Sequence, residues 1–133
     1  HLTVWQNIEL VAGEGNRTDV REMLENLEIG DIAQRYPHQI SGGQARRASL
    51  ARTLSAQADI VLMDEPFAHL GGSLAHRAAL VTLSWLEKSK ATLIAAGHDR
   101  NLARLLNVQS VVTIEGSDAM RGELAVQRGV FDA

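Results

Sequence analysis

Ile60-Val61-Leu62-Met63-Asp64-Glu65-Pro66 is the stretch that decides the fold: four apolar residues, then two acids and a proline. An apolar run this short has strand length, and the residues after it end it. The run is continuous, which predicts a strand covered on both faces, as in parallel α/β sheets. A second run, Thr92-Leu93-Ile94-Ala95, ends in Gly97-His98-Asp99. Between the two, Gly71-Gly72-Ser73 opens a helix to about Lys88, with the stripe Leu74, Ala78, Val81 and Trp85. Strand, helix, strand in that order is a βαβ unit.

Downstream, the pattern predicts a helix over 100–106, an apolar run over 108–114, then a turn and a weak strand over 124–127. Upstream, residues 1–12 read as an extended entry and a short turn of helix, with no cap. Residues 13–16 read as a loop. Val20, Met23, Leu24 and Leu27 recur at helical spacing, with Thr18 or Asp19 as cap and Gly30 as terminator. A helical stretch over 32–36 stops at Pro37, because the residue before proline is pushed out of the α region. Ser41-Gly42-Gly43-Gln44 opens the next helix, to about Ser55, with Ser41 and Gln44 spaced as a capping box. The chain therefore divides into a helical portion, 1–56, and part of an α/β core, 57–133.

Composition narrows the class. The 133 residues suit one domain, and 45% hydrophobic against 22% charged is a folding composition. The absence of cysteine excludes disulfides, cysteine-ligated zinc and a thiol nucleophile. A net charge of −3, with no basic block longer than Arg46–Arg47, weighs against a nucleic-acid partner. No signal peptide is visible, and no apolar run approaches the ~20 residues of a membrane span. The sequence opens at His1 straight onto Leu2, Val4 and Trp5, and we expect a piece whose N-terminal portion has been removed.

Three groups could carry chemistry. Asp64 and Glu65 stand at the carboxyl end of a strand, where open α/β sheets bind ligands. One acid there can hold Mg²⁺ through water and the other can orient an attacking water; a merely polar strand terminus is the plainer alternative. His98 ends the neighbouring strand and should lie beside Glu65 on the same edge, unless it is a surface turn histidine. Ser41–Gln44 is a helix N-terminus with two glycines, suited to an anion, or else an ordinary capped helix start. His1, His38, His69 and His76 read as surface or packing residues, and Trp5, Met23, Met63 and Trp85 as core or interface.

Taken together, Ile40-Ser41-Gly42-Gly43-Gln44, then Ile60–Pro66, then His98 resemble the ATP-binding-cassette (ABC) ATPases that power transporters. The resemblance runs from His1 to about Ile114, and Leu2-Thr3-Val4 with Asn7-Ile8 is similar to the family's lead into its helical subdomain. It implies an α/β fold: a partial P-loop NTPase-type parallel sheet, bearing the Walker B and switch-histidine strands, preceded by a helical subdomain. It implies that Ser41, Gly42 and Gly43, with Gln44 in the same motif, touch the γ-phosphate of ATP held by the opposite subunit. It makes Asp64 the Walker B aspartate that orients Mg²⁺, Glu65 the general base and His98 the switch histidine. The partners implied are a second ATPase subunit and transmembrane permease subunits, with no nucleic acid, and the location is cytoplasmic, peripheral at the inner face of the cell membrane.

The departures are specific. Ile40 replaces the commoner leucine. Gly71 stands where the family's D-loop aspartate is expected, and Gly97 where a small hydroxyl residue is common. Neither lysine, Lys88 or Lys90, lies in a G-x-x-x-x-G-K-[ST] phosphate loop; the family places that loop and its Q-loop glutamine upstream, so both are expected before His1. The reading is thus a partial cassette of a transporter ATPase, import type favoured, inactive in isolation. The alternatives are a short binding or regulatory module that completes a partner's site in trans, and a non-transport ABC ATPase. Without a neighbouring phosphate-loop strand, the parallel pair has an open apolar edge, and self-association is expected.

Overall fold

The computed structural model describes residues 2–13, 16–97, 99–108, 110–115 and 123–128. Two compact units divide the chain, His1–His98 and Asp99–Ala133.

The first unit begins with α1 (Val4–Ala12), a longer helix than the short turn expected. Thr3 caps it: its Oγ1 accepts from the Gln6 N–H, and the Gln6 side chain accepts from the Thr3 N–H. The N–H groups of Val4 and Trp5, orphaned at the helix start, donate to the carbonyls of Arg35 and Ala33. Val4, Ile8 and Ala12 form its buried stripe.

Helix α2 (Arg17–Asn26) buries Val20 and Leu24. Thr18 and Asp19 lie inside it and do not cap it. Asn16 precedes it, and its amide closes the end of α1 by donating to the Ala12 carbonyl at 2.9 Å. Gly30 does not end the helix either. The left-handed residue is Glu28, at φ 55°, and the Ile29 N–H returns to the Leu24 carbonyl. In place of one helical stretch over 32–36 there are two 3₁₀ turns, Gly30–Ile32 and Pro37–Gln39. Pro37 starts the second, and Tyr36 before it is extended.

Helix α3 (Gly42–Ser55) has the expected start and end. It packs against α1, and Arg52 reaches across to the Asn7 carbonyl at 3.2 Å. Ile8, Leu24, Leu27, Ile29, Ile32 and Leu54 are fully buried, so the core of this unit is centred in its helical portion.

Strand β1 (Ile60–Asp64), helix α4 (Gly72–Ser89) and strand β2 (Thr92–Ala96) form the βαβ unit. The strands are parallel and in register from Ile60 opposite Thr92 to Asp64 opposite Ala96. The Thr92 N–H adds a bond to the Asp59 carbonyl. Helix α4 ends at Lys90, a left-handed cap at φ 60°.

Two expectations need correction. The buried stripe of α4 is Ala75, Ala78, Ala79 and Thr82, and Leu74, Val81 and Trp85 are only half-buried. Small residues occupy the fully buried positions, where the Thr82 hydroxyl turns back to the Ala78 carbonyl at 2.9 Å. Nor is β1 covered on both faces. Val61 and Met63 are buried, whereas Ile60 and Leu62 are 60% and 71% exposed and Ile94 of β2 is 58% exposed. The pleat sends alternate side chains to opposite faces, and only one face of β1 meets the rest of the unit.

In the second unit, α5 (Arg100–Leu105) is followed by an antiparallel pair, β3 (Ser110–Glu115) and β4 (Glu123–Arg128). Both strands fall close to their expected positions.

Candidate functional site

The first element of the site is the start of α3. Ser41 is extended, its Oγ accepts from the Gln44 N–H at 3.2 Å, and the Gln44 Oε1 accepts from the Ser41 N–H at 2.9 Å. The Ala45 N–H makes the first helical bond, to the Ser41 carbonyl. This reciprocal cap uses the donors of Ser41 and Gln44 and leaves those of Gly42 and Gly43 without a partner among the described residues. Both glycines are exposed, and a Cβ added at either meets nothing within 4 Å. Two free N–H groups at the positive end of a 14-residue helix, with open space beside them, fit an oxyanion.

The second element is the edge where β1 ends. Asp64 is exposed and pairs with Ala96, and one step further the Glu65 N–H donates to the Ala96 carbonyl at 2.9 Å. Glu65 is held at φ 43°, left-handed for a non-glycine residue. Such a conformation costs about 1–3 kcal/mol and persists where neighbours over-determine it. Here the neighbours are the β2 bond and the turn that follows, in which the Ala68 N–H donates to the Glu65 carbonyl at 3.1 Å. The Glu65 carboxylate lies beside Gly97: a Cβ built on that glycine falls 3.8 Å from Oε2, an ordinary contact. The parallel register thus brings Asp64, Glu65 and Gly97 to one edge. His98 lies outside the described residues.

The turn after Glu65 joins the two elements. The Arg46 guanidinium, one turn into α3, donates to the Ala68 carbonyl at 3.0 Å. Two hydrogen bonds therefore connect the first turns of α3 to the backbone of Glu65. Between α3 and this turn lies a cavity of about 240 Å³, lined by Gly42, Gly43, Arg46, Ala68, His69 and Leu70. The sequence does not single out Arg46 or His69 as site residues. His69 stands two residues before Gly71, in the segment that corresponds to the family's D-loop, and the fold places it beside the glycines, at φ 62°.

Among the described residues no group of three or more His, Asp or Glu side chains could cage a metal. Asp64 and Glu65 are the two carboxylates at the strand end. That donor set fits Mg²⁺, which keeps several waters and is held by one or two carboxylates together with substrate phosphates.

Comparison with known proteins agrees with this geometry. The Fe(3+) ions import ATP-binding protein of Haemophilus influenzae (strain 86-028NP) is 36% identical over 107 residues, 76% of this chain and 30% of its own length. The thiamine import ATP-binding protein of Ruegeria sp. (strain TM1040) is 35% identical over 122 residues, 87% of this chain and 53% of its own. The chain thus spans between about a third and a half of the length of these curated relatives. Among solved structures, the dimeric structure of a bacterial ABC transporter cassette matches with a TM-score of 0.69 and 28% identity, over 84% of this chain and 51% of that one. An archaeal ribosome recycling factor, in complex with a ribosomal stalk protein, matches with a TM-score of 0.76 and 26% identity, over 92% of this chain and 24% of that one. The parallel pair and its connecting helix are thus part of a P-loop NTPase-type sheet. The ABC transporter family model matches residues 1–68, a span that contains both Ser41–Gln44 and Asp64–Glu65. With the open α3 terminus and the acidic strand end in the family's order, this chain belongs to the ABC transporter family.

Proposed function

We propose that the chain is part of the ATP-hydrolysing motor subunit of an ABC transporter of import type. Residues 1–56 form a portion of the helical subdomain, and residues 57–133 the C-terminal part of the α/β ATPase core. The observation that carries the reading is the start of α3, where the Ser41–Gln44 cap leaves the Gly42 and Gly43 N–H groups open to an anion. The import assignment rests on relatives named as iron and thiamine import proteins.

In this reading Ser41, Gly42, Gly43 and Gln44 receive the γ-phosphate of ATP bound by a second ATPase subunit. Asp64 would hold Mg²⁺, which when bound neutralises charge on the phosphate oxygens. Glu65 orients the attacking water and accepts its proton, and His98 contacts the γ-phosphate. The chain's own contribution is positioning and charge complementarity, as phosphoryl transfer requires. The partners are that second subunit and transmembrane permease subunits, with no nucleic acid. No helix among the described residues is long and apolar enough to cross a membrane, in keeping with a cytoplasmic subunit held peripherally at the inner face by its permeases.

The test is reconstitution. No G-x-x-x-x-G-K-[ST] occurs in these 133 residues, so a phosphate-loop segment from the iron-import relative is fused ahead of His1. Mg²⁺-dependent ATP hydrolysis should appear, and Glu65→Gln should lower it by at least about a hundredfold, in the range of a lost general base. Hydrolysis that survives Glu65→Gln unchanged removes Glu65 from the role of base.

A further inference from the structure

At the opposite end of β1 from Asp64 and Glu65 lies a larger cavity, about 350 Å³, formed by the end of α1, one face of α2, the end of α3 and the last turns of α4. Its volume falls in the range of small-molecule sites. Val20, Met23, Leu54 and the half-buried Trp85 supply an apolar lining.

The polar lining carries two carboxylates, Asp19 and Asp59, against one ammonium, Lys88, among the described residues. Ser55 is only 6% exposed, and its Oγ has no hydrogen-bond partner among the described residues. A buried hydroxyl in that state calls for a ligand or water to complete it. The amides of Asn16 and Gln57 both donate to one atom, the Ala12 carbonyl, at 2.9 and 3.3 Å. One N–H of each amide is thereby committed, and the two side-chain oxygens are left as acceptors. The exposed residues Asp19 and Asp59 also line the cavity, and their carboxylates form no ion pair among the described residues. Against these stands one cation among the described lining residues, the equally exposed Lys88. The charge balance of the lining is negative.

We propose that this cavity binds a small organic ammonium ion carried on an aromatic or alkyl stem. The stem lies on Trp85 and the apolar lining, and the ammonium group, which has three donors and no acceptor, meets the carboxylates and side-chain oxygens. The indole face adds a cation–π attraction. An anion would face uncommitted carboxylates, and a neutral alcohol would forgo their attraction. The site shares no residue with the nucleotide elements and does not depend on the proposed ATPase role.

Equilibrium dialysis of the full chain against radiolabelled phenethylamine tests the proposal, and its readout does not depend on the oligomeric state of the chain. The expected result is saturable binding of one ligand per chain. Competition by 2-phenylethanol should be about tenfold weaker or less, and phenylacetate should not compete. Asp19→Asn combined with Asp59→Asn should weaken binding about tenfold, as should Trp85→Leu. No saturation below about 10 mM, equal competition by the neutral alcohol, or unchanged affinity in the folded variants each overturns it. The competitor series uses the unaltered chain, so it decides the matter even if a variant fails to fold.

Discussion

The helical portion and the parallel strand pair are both rich in Leu, Ile and Val, yet they use them in opposite ways. Around α1, α2 and α3 the large aliphatic side chains are inside: Ile8, Leu24, Leu27, Ile29, Ile32 and Leu54 are fully buried. In the strand pair, Ile60, Leu62 and Ile94 are largely exposed, and only Val61 and Met63 of β1 are buried. The difference teaches that apolar content alone does not locate a core. Helices can bury one stripe against each other within a short segment, whereas a two-stranded sheet always presents two faces, and here one of them is left uncovered.

The largest expected contrast comes from truncating one residue on each side. Leu24→Ala should cost about 2–5 kcal/mol in urea unfolding, because it removes a fully buried side chain and leaves a cavity. At dilutions where the chain is monomeric, Leu62→Ala should stay within about 0.5 kcal/mol, because its side chain already meets solvent. Equal losses would mean that the sheet face is covered in solution. Next, Leu62→Lys with Ile94→Thr should leave the unfolding midpoint nearly unchanged. It should also shift the chain toward monomer in analytical ultracentrifugation, since it breaks a contiguous apolar surface. An unaltered chain that is already monodisperse and monomeric defeats that expectation.

Smaller effects sharpen the helical side. Ser41→Ala should lose about 1 kcal/mol, the usual worth of a capping oxygen. Gly43→Ala should be neutral or stabilising by up to about 1 kcal/mol, because the added Cβ meets nothing and the glycine carries an entropic penalty in a helix. In the reconstituted ATPase the same substitution should depress hydrolysis, which separates the function of the glycine from its effect on folding. Smallest of all, Arg77→Ala removes the 2.7 Å ion pair to Glu28, whose two partners are about half-exposed. The loss should be below about 0.5 kcal/mol by thermal melt.

Where local chemistry sets an element, it was legible in the sequence. Ser41 and Gln44 cap α3 because the serine oxygen and glutamine side chain reach each other's backbone across one turn. Thr3 and Gln6 carry the same spacing and cap α1 in the same way, where the sequence pattern alone suggests no cap. Hydrophobicity points to Leu74, Val81 and Trp85 as the α4 stripe, because they outrank alanine, and they are only half-buried. Close approach of the helix instead favours Ala75, Ala78 and Ala79 at the buried positions. Glycine is the usual left-handed residue, which points to Gly30 as the end of α2, and the chain instead turns at Glu28. For the site, the acids and the glycine-rich helix start stood out by type and order. Arg46 and His69 did not, because no sequence pattern says that the turn after Glu65 lies against the first turns of α3.

The sequence by itself determined the order of the elements and the identity of the anion-receptive helix start and the acidic strand end. Caps, periodicity and proline act over a few residues, and they need no partner from elsewhere in the chain. Only the tertiary structure decided which face of β1 is buried, that Glu65 comes to rest beside Gly97, and that Arg46 ties its turn to α3. It also decided that Asn16 and Gln57 meet at one carbonyl beside the cavity. Each of these depends on strand register and helix docking, which are settled by contacts between residues far apart in the sequence.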